Sequence, residues 1–140
     1  NLTKTKIILI RTNGSGLYEF TDDIRTWVSG DGILHLFLKH TSASLLIQEN
    51  FDPEVKTDLS NFFKRLVPAA SDPSMSYLTH RYEGEDDMPA HIKASLGQVS
   101  LAIPVISGEL ALGSWQGVYL FEHRKARKNR EVVAKLQGDR

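Results

Sequence analysis

Five histidines occur in a chain that has no cysteine. Imidazoles from a strand end (His40), a loop (His80) and a helix (His91) could form an open three-histidine site. Such a site holds a divalent ion and leaves a position for water or substrate. The spacing itself is a weak signal, because neither HExxH nor CxxC occurs. His40 sits in "FLKHTSASLLIQEN" (Phe37–Asn50), at the end of a leucine-rich strand face. A single histidine there is more often a satisfied structural residue than a ligand. His80 lies in "LTHRYEGEDD", beside Glu83, Glu85, Asp86 and Asp87. These carboxylates could orient imidazole N–H groups, or form a solvated acidic loop. His91 stands one helical turn before Ser95. His35 faces away from His40 on the same strand, and His123 adjoins a basic run where it is either solvated or phosphate-facing.

Other side chains suit an anionic or aromatic ligand. Thr41, Ser42 and Ser44 can donate to anionic oxygens, or cap a turn at a strand end. Glu49 is the nearest candidate base to His40 in sequence, with Asn50 as its orienter; a plain surface role is the alternative for both. In "ALGSWQG" (111–117), Trp115 could stack on a ring while Gln116 hydrogen-bonds it, or the stretch is a hairpin bend with a buried indole. Gly113 and Gly117 permit unusual backbone conformations or close approach. "HRKARKNR" (123–130) reads as the connection between the last two strands. Over a site, Arg124 and its neighbours would supply phosphate-binding charge; as a solvated hairpin tip they need no function. With no GxSxG elbow and no P-loop, a serine hydrolase or an NTPase is poorly supported.

The elements that must position these groups follow from periodicity. "KIILIR" (Lys6–Arg11) is a β-branched strand, "NGSG" a turn, and Leu17–Phe20 a hairpin partner for that strand. Thr21 then reads as the N-cap of a helix stopped by Gly30, with Ile24, Trp27 and Val28 on one face. Ile33–His40 alternates, with Leu34, Leu36, Leu38 and His40 on one side, and Leu45–Ile47 suggests another short strand. Asp52 caps and Pro53 opens a helix carrying Val55, Leu59, Phe62, Phe63 and Leu66, ended by Pro68. Pro89 begins a short helix stopped by Gly97. Strands are expected at Val99–Val105, Glu109–Leu112, Gln116–Glu122 and Glu131–Leu136. The order β-β-α-β-β-α-α-β-β-β-β predicts a single α+β domain over residues 1–140, with mainly antiparallel, sandwich-like sheets and two to three helices.

Composition narrows the function classes. Seventeen basic and seventeen acidic side chains cancel, so long-range attraction to nucleic acid or an anionic membrane is not expected. No apolar run has the length of a membrane span, and no signal-peptide pattern opens the sequence, so a cytoplasmic location is expected. Without cysteine there is neither a disulfide nor thiolate chemistry.

"HTSASLLIQENFDPEV", "HRYEGEDDMPAHIKASL" and "SLAIPVISGELALGSWQGVYLFEHR" together resemble the YjbQ-like family of small conserved proteins. The last stretch matches its signature at Ser100, Ile103, Val105, Gly108, Gly113, Trp115, Gln116 and Val118, with Ser114 where threonine is usual. The resemblance covers essentially the whole chain. It implies a compact α+β fold, assembly as a homotrimer, and a metal or ligand site at His40, His80 and His91. It also implies the family's label of secondary thiamine-phosphate synthase, a weak capacity to join a hydroxymethylpyrimidine pyrophosphate to a thiazole phosphate. The implied partner is a small phosphorylated molecule and the implied cofactor a divalent, zinc-like metal. Its alternatives are a non-catalytic metal- or anion-binding trimer and a metal-dependent hydrolase. This chain departs from the family at Pro89, where aspartate is common; Asp87 is the candidate substitute.

Overall fold

The computed structural model describes residues 2–139. The chain runs β1 (Lys4–Asn13), β2 (Gly16–Glu19), α1 (Thr21–Arg25), β3 (Gly32–Leu38), β4 (Ala43–Glu49), α2 (Pro53–Leu66), a 3-10 turn at Pro73–Met75, α3 (Asp87–Leu96), β5 (Ser100–Ile106), β6 (Glu109–Leu110), β7 (Gln116–Glu122) and β8 (Arg127–Gly138). The strands form two antiparallel sheets, β1-β8-β3-β5-β6 and β2-β7-β4. This is the expected α+β architecture in the expected element order.

Strict alternation in β3 builds the centre. Leu34, Leu36 and Leu38 are buried while Ile33, His35 and Phe37 are exposed. The leucines meet Ile8 and Ile10 of β1, Val132, Ala134 and Leu136 of β8, and, from the smaller sheet, Ala43, Leu45, Val118 and Leu120. Ile24 and Val28 close one side of this core, with Trp27 packed against it, although the helix ends at Arg25 and does not run to Gly30 as expected, so Trp27 and Val28 lie beyond it. Fully burying one such side chain contributes about 1.5–3 kcal/mol.

Several local expectations are corrected. Leu17–Phe20 does not fold back on the first strand: β2 pairs with β7, and β1 pairs with β8 from Lys4↔Leu136 to Asn13↔Arg127. Gly14 and Gly16, at φ 103° and 141°, steer the chain out of the larger sheet in a conformation closed to most residues. Tyr18 secures this exit, accepting from the Asn13 amide and donating to the Gly14 carbonyl, both at 2.8 Å. Thr21 is not an N-cap but the first residue of α1. Its hydroxyl donates to Glu19 and accepts from the Val118 amide, tying the helix to β7. The basic run is not simply a connection, since Arg127–Arg130 already belongs to β8.

Helix α2 starts as predicted. Asp52 accepts from the Glu54 amide at 2.9 Å, and Pro53 holds the first position, where its missing N–H costs nothing. No residue of α2 is fully buried, and Phe62 and Leu66 remain more than half exposed. Helix α3 begins two residues earlier than expected, at Asp87, so Pro89 falls within its first turn, where proline is tolerated. No helix among the described residues is long and apolar enough to cross a membrane.

Candidate metal centre

The early start of α3 creates the site. Asp87 and His91 stand four residues apart and so share one helix face. His80, from the preceding loop, meets them. Asp87 Oδ2 lies 2.8 Å from His80 Nε2 and 3.2 Å from His91 Nε2, and Glu83 Oε2 is 3.3 Å from His80 Nε2. One donor atom from each of His80, Asp87 and His91 falls within 4.8 Å of the others. Asp87 is buried, while both imidazoles are partly exposed, so the cluster opens to one side.

The tautomer of His91 follows from geometry. Its Nδ1 is 2.9 Å from the Thr41 carbonyl, which can only accept, so Nδ1 carries the hydrogen. In the neutral ring Nε2 then bears a lone pair, and that lone pair faces the Asp87 carboxylate. Two lone pairs at this separation require a proton or a cation between them. A backbone carbonyl orienting the distal ring nitrogen is the usual second support of a histidine ligand. Tetrahedral zinc with nitrogen and oxygen ligands spaces its donors by about 3.3 Å, which the two Asp87–imidazole separations of 2.8 and 3.2 Å approach.

Asp87 is held ionised. Burial alone would raise its pKa, but the hydrogen bond from His80, the charges of His91 and Arg124, and the His91 hydrogen bond outweigh burial and hold it below the usual range. Arg124 Nη1 donates to Asp87 Oδ1 at 2.5 Å, Nε to Asp86 Oδ2 at 3.2 Å, and Nη2 to the Glu83 carbonyl at 3.0 Å. Its guanidinium is therefore spent on the acidic loop and positions Asp87, in place of the free phosphate-binding charge expected from sequence.

His40 does not join this cluster. It lies beyond the end of β3, and its Nε2 accepts from the Glu131 amide at 2.9 Å. Burial first, then the Arg130 charge, lowers its pKa and keeps it neutral, as that bond requires. It is the satisfied structural histidine of the alternative reading.

The hydroxyls separate in the same way. Ser42 is buried and accepts from Arg130 Nη2 at 2.9 Å; Ser44 is buried with Oγ 3.0 Å from His123 Nε2. Only Thr41 is exposed at the rim, and its carbonyl orients His91. Arg130 also pairs with Glu122, whose carboxylate takes Thr12 Oγ1 at 2.7 Å. The pair thus fixes the turn that presents Thr41. Residue-by-residue reading missed it because an inward arginine in a basic run looks like its solvated neighbours.

Glu49, Asn50, Trp115 and Gln116 lie at the far end of the smaller sheet. β4 runs for seven residues, about 20 Å of strand, from Ala43 to Glu49. Glu49 Oε2 accepts from the Asp52 amide at 3.3 Å, Asn50 donates to Glu19 at 3.1 Å, and Gln116 accepts from the Gly113 amide at 2.8 Å. Glu49 and Asn50 therefore cannot serve His40 within one chain. Trp115 is 59% exposed, not a buried indole, and packs edge-on against Phe51 with centroids 4.8 Å apart. His123 is buried, which excludes the solvated role expected beside a basic run.

The sequence profile described as UPF0047 protein YjbQ-like matches residues 5–139. A UPF0047 protein of Synechocystis is 45% identical over 138 residues, covering 96% of this chain and 91% of the relative. UPF0047 protein YjbQ of Salmonella typhimurium is 44% identical over 139 residues, covering 96% and 97%. The fold matches the crystal structure of a conserved hypothetical protein from Thermus thermophilus at a TM-score of 0.83 and 32% identity, covering 94% of this chain and 99% of that one. The agreement in sequence and fold runs nearly from end to end: the chain belongs to the YjbQ-like UPF0047 family.

Proposed function

We propose that this protein is a metal-site protein in which His80, Asp87 and His91 hold a divalent, zinc-like ion. The observation that carries the reading is Asp87 Oδ2 facing both imidazole Nε2 atoms while the Thr41 carbonyl fixes the His91 tautomer. Two imidazoles and one carboxylate suit zinc better than magnesium, which prefers oxygen donors. When bound, the ion supplies Lewis-acid stabilisation of charge on a phosphate oxygen or a water. The chain itself contributes the ionised Asp87, the clamp of Arg124 behind it, and the exposed Thr41 hydroxyl at the rim for a small phosphorylated molecule. Joining a pyrimidine pyrophosphate to a thiazole phosphate needs stabilisation of the departing pyrophosphate. An imidazole-rich centre with its arginine already engaged suits that chemistry poorly, so the synthase reaction is a weak side activity. Metal-dependent hydrolysis is the variant that three ligands and an open side favour.

Zinc content of purified protein tests the metal. About one ion per chain is expected after zinc loading, and His91→Ala and His80→Ala should each lose it. A wild-type protein that retains no stoichiometric zinc, nickel or iron sinks the proposal. A second reading, a non-catalytic homotrimer that only binds metal or anion, is favoured by the removal of Glu49 from the centre. Turnover of the two phosphorylated thiamine precursors, assayed with each metal, separates the readings: rates at background leave the binding protein.

A further inference from the structure

Helix α3 has a second working face. Asp87 and His91 look toward the candidate metal centre, whereas Asp86, Pro89 and Lys93, at i, i+3 and i+7, line a cavity of about 210 Å³ with Lys64, Lys125 and His123. A further cavity of about 300 Å³ shares Lys93 and His123 with it. Its walls are mostly apolar: Leu45, Leu46, Leu59, Phe63, Leu96 and Phe121, with Ser44 at one side. The two spaces lie between α2 and α3 over the smaller sheet and meet at Lys93.

Charge in this space is unbalanced. Neither Lys64 nor Lys93 makes an ion pair or hydrogen bond among the described residues, although Lys93 is half-buried. Lys125 is paired with Glu85 Oε1 at 3.4 Å. Asp86, which lines the space, is already taken by Arg124 and the Lys125 amide, and the adjoining Glu122 by Arg130 and Thr12. His123 is held by Ser44 and stays neutral. We propose that the space between α2 and α3 is a binding pocket for an amphipathic anion, a carboxylate or phosphate monoester whose head group sits on Lys93 and Lys64 and whose apolar tail lies against Leu59, Phe63 and Phe121. The anion supplies the missing counter-charge, and the tail fills space that the protein leaves open. This pocket does not depend on the metal reading.

Calorimetric titration with hexanoate, hexyl phosphate, hexylammonium and inorganic phosphate tests it. One of the two amphipathic anions should bind at least about tenfold more tightly than hexylammonium; the tighter anion identifies the head group. Inorganic phosphate should bind more weakly than hexyl phosphate. Lys93→Met should weaken anion binding about tenfold or more, and Lys93→Arg should restore it to within a few-fold. His91→Ala, which disables the metal centre, should leave anion binding within about twofold, well below a single interaction. No measurable binding of either amphipathic anion, equal binding of hexylammonium, phosphate binding as tightly as hexyl phosphate, full affinity in Lys93→Met, or loss of binding in His91→Ala would each overturn the proposal.

Discussion

Asp87 joins two imidazoles through one oxygen and a guanidinium through the other. Replacing it by asparagine keeps its shape, removes its charge and leaves Arg124 underpaired. Zinc affinity in Asp87→Asn should fall more than about a hundredfold, the upper end of what losing an outer-shell partner costs; a competitive zinc titration measures it. His123 makes a separate point about single groups. Burial above all, then the Lys93 charge, lowers its pKa to about 4. The folded state therefore takes up its proton later than the unfolded chain does as pH falls. The stability tied to neutral His123 is full above about pH 6.5 and is lost between there and pH 4, to an extent of about 3 kcal/mol. His40, also lowered, acts in the same direction. Urea unfolding at pH 7 and near pH 4.5 should show this loss, and His123→Gln should flatten the slope; equal slopes in both proteins would rule His123 out. Among these residues the sequence made His80, His91 and the acidic loop legible through residue type. It misplaced His40, because alternation tells on which face a histidine falls but not which amide waits beyond the strand end.

At the scale of elements, a buried polar network bolts the two sheets together. Glu122 leaves β7 of the smaller sheet, while Arg130 and Thr12 come from β8 and β1 of the larger. Glu122 is held ionised despite its burial by the hydrogen bonds of Arg130 and Thr12. Breaking such a pair from one side strands a charge. Arg130→Met should cost about 3–5 kcal/mol in chemical unfolding, while the double variant Glu122→Met/Arg130→Met should recover most of it. A fully additive cycle would show that the pair does not couple the sheets. Close approach also fixes the smaller sheet, where a Cβ on Gly117 would fall 2.5 Å from Glu19 Oε2 and 3.0 Å from the Asn50 Cβ. Most strands were readable because alternation is a local property of β-structure. The partner of β2 was not, because a short strand after a glycine turn carries no mark of the sheet it will enter.

For the whole molecule, apolar surface remains to be covered. Phe51, Phe62, Leu66, Leu96 and Trp115 are each more than half exposed, and α2 buries none of its residues completely. Exposed apolar residues on this scale are characteristic of contact surfaces. The proposed homotrimer would cover them. Light scattering coupled to size exclusion should give three chain masses, and Phe62→Glu with Leu66→Glu should shift the protein toward monomer. A wild-type monomer would discard the trimer.

What the sequence determined by itself was the order of elements, the leucine face of β3, the capped start of α2 and membership in the family, all of which rest on short-range patterns of polarity and residue type. Tertiary structure alone decided that Asp87, not His40, meets His80 and His91, that Arg124 is spent on the acidic loop, that Glu49 lies a strand's length away, and that Lys93 looks into a separate pocket. Those outcomes depend on which sheet each strand enters and on where α3 begins, and a single residue of helix start rotates every following side chain by about 100°.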